Sequence, residues 1–436
     1  MNISLLTLGC PKNQVDSENL LNRLLENGLS VKNDPDEADV LLINTCGFIE
    51  DAKKESIDEI LKLSELKNNG KKLIVFGCLS QRYRNELLKE IPEIDAIFGV
   101  GEENRIVEYC ESVLSPQSPV LSQRIKILNR LSTPDSRLQT ESYAYLKIAE
   151  GCSKKCTFCV IPSIRGPFRS FSPESILEDA ENKIESGIGE LILVAQDITS
   201  YSFKGYGLSS ILKDITSIKG DFYVRLLYLY PSAINDELLQ VISSEDKIYK
   251  YLDIPLQHSE DRILRLMGRR GTRKEYLKLI RKIRRMIPGI ALRTTFIVGF
   301  PGETEEDFLN LKDFVEEVRF DKLGVFKYSK EEGTPAYRFK GHLPESIRER
   351  RFDEIMRVQA GISLEKNQEL IGKRFRAIVD EIDGKTAIGR IYSQTPEIDG
   401  ITFVEWTKGQ KLTDTFLDIE ITDASDYDLK GVIIKK

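Results

Sequence analysis

The run Glu150-Gly151-Cys152-Ser153-Lys154-Lys155-Cys156-Thr157-Phe158-Cys159 closes an apolar stretch with three cysteines spaced C-x3-C-x2-C. Three thiolates this close in sequence suit an iron-sulfur cluster, and a four-iron cubane then keeps one iron without a protein thiolate, free to take a small molecule. Zinc is the plainer competitor. A structural zinc site closes its tetrahedron with four protein ligands, and neither His258 nor His342 is near the triad in sequence.

Downstream of the triad, strand-like and helix-like patterns alternate. Strands are predicted at Tyr143 to Ala149, Glu190 to Ala195, Phe222 to Tyr230, Tyr249 to Pro255, Ala291 to Val298 and Lys322 to Tyr328. Amphipathic segments such as Pro173 to Ser186, Lys274 to Met286 and Glu305 to Val318 fall between them. Six βα units predict a parallel sheet curled into part of a barrel, with its chemistry at the carboxyl ends of the strands. Polar residues stand there: Cys152, then Gln196 and Asp197, Pro231 and Ser232, Gln257 and His258, and Gly299-Phe300-Pro301-Gly302-Glu303.

Upstream, Cys10, Cys46 and Cys78 each end a short apolar run and precede a helical periodicity. This reads as three strand-turn-helix units of an open parallel α/β sheet, whose ligands sit outside the carboxyl ends of the strands, so the three thiols share one edge and can meet at one metal site. Alternatively, each is a small apolar residue at a strand end. Cys110, inside a helical pattern, reads as core.

With 436 residues, the chain has room for about three domains. Turn and linker chemistry in residues 115–140 divides an amino-terminal domain, 1–125, from a central one, 140–367. From Gln368 onward, 368–436, short runs beginning at Arg374, Thr386, Ile401 and Phe416 predict a small antiparallel barrel. That segment holds 10 Lys and Arg against 13 Asp and Glu, a balance that repels phosphate and attracts basic protein. The whole chain carries a mild net charge of -6, which does not call for nucleic acid as main partner. No run approaches a membrane span of roughly 18 apolar residues. The amino terminus opens directly on a strand pattern, unlike a signal peptide. Seven thiols, an odd number, in such a chain fit metal chemistry in a reducing, cytoplasmic compartment.

The triad after Tyr145-Leu146-Lys147-Ile148-Ala149, the spaced amino-terminal cysteines and the carboxyl-terminal barrel together resemble the radical S-adenosylmethionine methylthiotransferase family, over almost the whole chain. The stretch Leu8-Gly9-Cys10-Pro11-Lys12-Asn13-Gln14-Val15-Asp16-Ser17-Glu18 is similar to the branch that modifies an aspartate of a small-subunit ribosomal protein. So are Arg165-Gly166-Pro167-Phe168-Arg169-Ser170 and Pro396-Glu397-Ile398-Asp399-Gly400. The transfer RNA branch typically shows Gln-Met-Asn after its first cysteine. Tyr392-Ser393-Gln394-Thr395, just before Pro396, departs from the aspartate branch's usual wording.

The resemblance implies that Cys152, Cys156 and Cys159 hold a [4Fe-4S] cluster whose open iron binds S-adenosylmethionine, a source of a 5'-deoxyadenosyl radical. It implies a second [4Fe-4S] cluster on Cys10, Cys46 and Cys78 that carries the sulfur to be transferred, a TRAM-like barrel that engages the substrate, and a flavodoxin or ferredoxin as electron donor. Glu190, Gln196 and Arg293 are the expected cofactor contacts beyond the thiolates. The competing reading of Glu190 is a strand-start carboxylate in water, that of Arg293 an ion pair in the barrel wall. The Gly299-Phe300-Pro301-Gly302-Glu303 turn either approaches adenine or simply leads into the next helix, and His258 reads as a structural histidine.

One feature pulls toward nucleic acid: Arg262 to Arg285 holds 11 Lys and Arg against the single acid Glu275. This is either a solvated helix face or a contact to RNA phosphates beside a protein substrate on the assembled small subunit. Methylthiolation of an adenosine in transfer RNA is the alternative activity. A non-enzymatic electron carrier is the third reading, and it has no use for so large an open barrel.

Overall fold

The computed structural model describes residues 2–67, 70–114, 142–384, 386–406 and 415–434; the linker expected at 115–140 lies outside them. The amino-terminal domain runs β1 (Asn2–Thr7), α1 (Pro11–Glu26), β2 (Ser30–Val31), β3 (Val40–Thr45), α2 (Glu50–Glu65), β4 (Lys72–Gly77), α3 (Cys78–Glu90), β5 (Ala96–Ile97) and α4 (Glu103–Leu114). Its five strands pair in parallel in the order β2-β1-β3-β4-β5. Helices cover both faces, so β3 is buried at every position and reads as one apolar run rather than an alternation. Pro11 starts α1 where a missing N–H costs nothing. Cys110 is fully buried on α4, as core.

The central domain contributes β6 (Tyr143–Lys147), β7 (Ala149–Glu150), α5 (Ile161–Arg165), β8 (Arg169–Ser170), α6 (Pro173–Glu185), β9 (Glu190–Val194), β10 (Ser202–Phe203), β11 (Tyr206–Gly207), α7 (Leu208–Ser217), β12 (Tyr223–Leu226), α8 (Asp236–Ser244), β13 (Ile248–Asp253), α9 (Asp261–Leu266), α10 (Arg273–Met286), β14 (Ala291–Val298), α11 (Glu305–Val318) and β15 (Lys322–Lys327). Six strands pair in parallel in the order β15-β14-β13-β12-β9-β6, the expected partial barrel. The third strand stops at Leu226, short of the predicted Tyr230, because Tyr228 adopts φ 63° and breaks the extended run. The long helix α12 (Glu345–Gln368) then packs along β15 and α11.

The last domain closes a five-stranded barrel, β16 (Arg374–Asp383), β17 (Thr386–Arg390), β18 (Thr402–Glu405), β19 (Phe416–Ala424) and β20 (Leu429–Ile433), in the order β16-β17-β18-β20-β19. The expected antiparallel barrel needs one amendment: β18 and β20 pair in parallel. The fifth strand, not foreseen, alternates exposed and buried residues too briefly to stand out, and one of its two exposed positions is Val432. Among the described residues no helix is long and apolar enough to cross a membrane.

Candidate active site

Adjacent strands β1, β3 and β4 end at Thr7, Thr45 and Gly77, which brings Cys10, Cys46 and Cys78 to one sheet edge. Gly9 lets the first two loops touch: at φ 96°, a Cβ there would stand 2.8 Å from the Cys46 Cβ and 3.0 Å from its sulfur. Asn13 ties the loops together. Its Nδ2 donates to the Leu8 carbonyl (2.8 Å) and the Thr45 carbonyl (3.2 Å), and its Oδ1 lies 3.7 Å from the Cys78 sulfur. The Ser56 hydroxyl takes the Cys46 N–H and returns a bond to its carbonyl, both at 3.0 Å. Burial pushes the Cys78 thiol up to about 12 and raises Cys46 as well, so these two rest as thiols near neutral pH and would give up their protons only to a bound metal.

The triad occupies one loop, between β7 and α5. That loop is pinned by three hydrogen bonds at Thr157: its N donates to the Met267 carbonyl (2.9 Å), its Oγ1 to the Leu266 carbonyl (2.7 Å), and Ala336 N donates to its carbonyl (2.9 Å). Cys152 N donates to the Gly166 carbonyl (3.0 Å), which lays the Arg165-Gly166-Pro167 segment against the loop; a Cβ on Gly151 would stand 2.3 Å from the Pro167 carbonyl oxygen. All three sulfurs belong to half-buried residues, and burial pushes the Cys159 thiol up to about 12. Among the described residues no three His, Cys, Asp or Glu side chains gather tightly enough to share one ion. Thiolates that take separate corners of a cubane stand further apart than the ligands of a single ion.

Between the two thiol sets lies a buried network of alternating charge. Asp16 of α1 takes the Lys147 ammonium at 2.6 Å and the Arg165 guanidinium at 3.1 Å; Glu150 takes the same guanidinium at 3.0 Å and is also paired with Lys147. Arg165 further donates to Asn13 Oδ1 at 2.6 Å. Burial alone would raise the Glu150 carboxyl, but Lys147 and Arg165 hold it down at about 2. Val15 of the same helix enters the core of the barrel mouth with Tyr145, Val194 and Leu227. The amino-terminal domain is thus a cover on the carboxyl ends of the barrel strands, with both thiol sets at the seam.

Comparison with known proteins agrees in each third of the chain. A model described as an uncharacterized protein family, UPF0004, matches residues 2–99, the radical SAM superfamily model residues 146–315 and the TRAM domain model residues 371–434. A ribosomal protein uS12 methylthiotransferase RimO of Thermodesulfovibrio yellowstonii is 56% identical over 439 residues, covering 99% of this chain and 100% of the relative. A protein of the same name from Thermoanaerobacter sp. is 44% identical, covering 99% of each. The chain belongs to the RimO-type radical S-adenosylmethionine methylthiotransferases. It is an iron-sulfur, S-adenosylmethionine-dependent enzyme. Among solved structures, the radical S-adenosylmethionine methyltransferase TsrM of Kitasatospora setae, with cobalamin and a [4Fe-4S] cluster bound, aligns with a TM-score of 0.57 at 14% identity, covering 88% of this chain and 81% of that one. The cobalamin-dependent radical enzyme OxsB aligns at 0.52 and 13%, covering 84% and 56%. These likenesses show the shared fold.

Of the three contacts expected for the RimO-type cofactor, Gln196 stands at the triad. It donates to Glu150 Oε1 at 3.2 Å, while its own Oε1 is buried without a partner, an acceptor suited to an N–H donor such as the amino group of S-adenosylmethionine. Glu190 must be corrected. It begins β9, at the opposite end from the triad, fully buried and held by Arg225 and by Arg390 (2.5 Å) of the carboxyl-terminal barrel, so it neither touches the cofactor site nor faces water. Arg293 is corrected to its other reading: it pairs with Asp253 at 3.1 Å and lies 3.6 Å from Asp399. The 299–303 segment is a turn into α11, where a Cβ on Gly299 would stand 2.3 Å from Arg348 Cγ. His258 is buried, its Nδ1 accepting from the Glu260 N–H at 3.0 Å, which is a structural role. Sequence reasoning missed Asn13, Asp16, Glu150 and Arg165. Their signal was present: polar residues at apolar-phase positions within six residues of a cysteine.

Proposed function

We propose that the chain adds a methylthio group to the β-carbon of an aspartate of ribosomal protein uS12, with two [4Fe-4S] clusters, one on Cys152, Cys156 and Cys159 and one on Cys10, Cys46 and Cys78. The observation that carries this reading is the meeting of two three-thiol sets at one seam, in a chain that is collinear with relatives named for uS12 methylthiolation. Each set would leave one iron of a bound cubane without a protein thiolate. When bound, the triad cluster with S-adenosylmethionine supplies a carbon radical able to take hydrogen from an unactivated carbon, and the other cluster supplies the sulfur. The chain's own residues do the rest. Gln196 Oε1 receives the cofactor's amino group, Glu150 holds Gln196 in that orientation, and the Asp16-Lys147-Arg165-Glu150 network fixes the distance between the two thiol sets. The half-buried seam limits water where a radical must survive.

The acidic carboxyl-terminal barrel engages the basic ribosomal protein, and RNA is touched by α10. On that helix Lys274, Lys278, Arg281 and Arg285 are exposed and follow one face at helical spacing. Arg269, by contrast, packs on the Tyr230 ring, and Arg273 pairs with Glu317 at 3.0 Å, so the first part of the basic run is structural. A flavodoxin or ferredoxin supplies electrons, and the reaction takes place in the cytoplasm, where the ribosome is.

Intact mass of uS12 from cells with and without this enzyme tests the activity. The expected result is a gain of one methylthio group in place of hydrogen on uS12, with transfer RNA nucleosides unchanged; the reverse result assigns the transfer RNA reading. Charge reversal at Lys274, Lys278 and Arg285 should lower the salt dependence of binding to the small subunit. An unchanged salt slope leaves α10 as a solvated face.

A further inference from the structure

Lys12 lies one turn before Asp16, on the face of α1 that enters the barrel mouth. The residue is 8% exposed, and its ammonium sits 3.6 Å from the centroid of the Tyr228 ring. Among the described residues no carboxylate comes within ion-pair distance of it, whereas Lys147 and Arg165 next door each meet two. An ammonium withdrawn from water and held by a tyrosine ring, with no carboxylate opposite it, is under-compensated. The ring beneath it is held there at a cost. Tyr228 is a bulky residue at φ 63°, fixed by its N–H to Asp253 Oδ2 (3.1 Å) and by its carbonyl, which accepts from Ile198 N (3.3 Å). Strain of this kind persists where surrounding structure enforces it, and it clusters at ligand sites. The cation therefore stands at the seam between the two thiol sets, with no carboxylate partner among the described residues.

We propose that Lys12 is the counter-ion of the substrate aspartate's side-chain carboxylate, and so the residue that selects a carboxylate-bearing substrate. The assignment rests on the proposed aspartate substrate. A carboxylate on Lys12 places the adjacent β-carbon at the seam, beside Cys10. A neutral side chain in its place leaves the ammonium buried and unpaired, which is a strong basis for rejection.

The test uses the anaerobically reconstituted full-length enzyme and measures binding of uS12 and of a uS12 variant. In that variant the modified aspartate, located by mass spectrometry of the wild-type product, is replaced by asparagine. The wild type should prefer the aspartate form by about tenfold or more. Lys12→Met should bind both forms within about twofold of each other, while Lys12→Arg retains the preference and both variants keep wild-type iron and sulfide. A Lys12→Met enzyme that still prefers aspartate tenfold overturns the assignment. So does one that loses iron while losing affinity for both forms equally, since the charge then serves the cluster. Wild-type enzyme that leaves uS12 unmodified overturns the aspartate reading itself, a result visible before any variant is made.

Discussion

The two thiol sets solve one chemical problem by opposite means. Cys152, Cys156 and Cys159 share one short loop, half-exposed and pinned by backbone bonds from neighbouring elements. Cys10, Cys46 and Cys78 come from three strand ends up to 68 residues apart, two of them nearly buried, and depend on a whole sheet and on Asn13 for their proximity. A loop site can tolerate movement around it, which under the proposed assignment suits a site that meets a diffusible cofactor and an electron donor. A sheet-edge site is as rigid as the domain, which under the same assignment suits a centre that stores a reactive group until it is needed.

The largest expected effect separates the two sets directly. Cys46→Ala and Cys156→Ala should each abolish methylthiolation and remove about half of the iron, yet the Cys46→Ala enzyme should still cleave S-adenosylmethionine. Equal loss of cleavage in both would erase the distinction. Next comes the seam: Arg165→Met strips two buried carboxylates of a shared partner and should cost about 3–5 kcal/mol in denaturant unfolding. A cost within error of zero would mean that the two domains are joined elsewhere. Asn13→Ala should cost about 1–3 kcal/mol through unsatisfied loop carbonyls and lower iron at the sheet-edge set while the triad stays loaded.

The smallest effect comes from a pair that belongs to neither set. Burial pushes His258 down to about 3, and pushes Glu303, 4.0 Å away, up to about 7 against the pull of Arg351. As pH falls from 7 to 5, the unfolded chain gains a proton at His258 that the folded one refuses, which costs stability; the folded chain gains one at Glu303 that the unfolded one does not yet take, which adds stability. The two oppose. His258→Gln should therefore make the chain more stable on acidification across this range, by up to about 1 kcal/mol per pH unit, and Glu303→Gln less stable. Thermal unfolding at several pH values reads both slopes, and iron content should not change.

Much of this was legible in the sequence because it is local. The triad needs ten consecutive residues, and the three strand-turn-helix units announce themselves by apolar runs that end in cysteine. What stayed hidden was set by depth along a strand and by partners far away in the chain. Glu190 opens β9 rather than closing it, so it faces the barrel base, where Arg390 arrives from 200 residues downstream. Arg293 meets Asp399 in the same way. Charged residues inside strands signal burial with a partner, but periodicity cannot name the partner or choose which end of the barrel it occupies.

That base carries a genetic consequence. Glu190 is answered by one arginine from its own barrel and one from the next domain, Arg225 also donates to the Tyr392 carbonyl at 2.7 Å, and the Tyr251 hydroxyl donates to Asp399 at 2.7 Å. A chimaera that borrows its last domain from a paralogue inherits one half of a lock whose tumblers were cut for another key. Swaps that carry positions 190, 225, 251, 390 and 399 together should yield soluble hybrids, and swaps at the domain border alone should not.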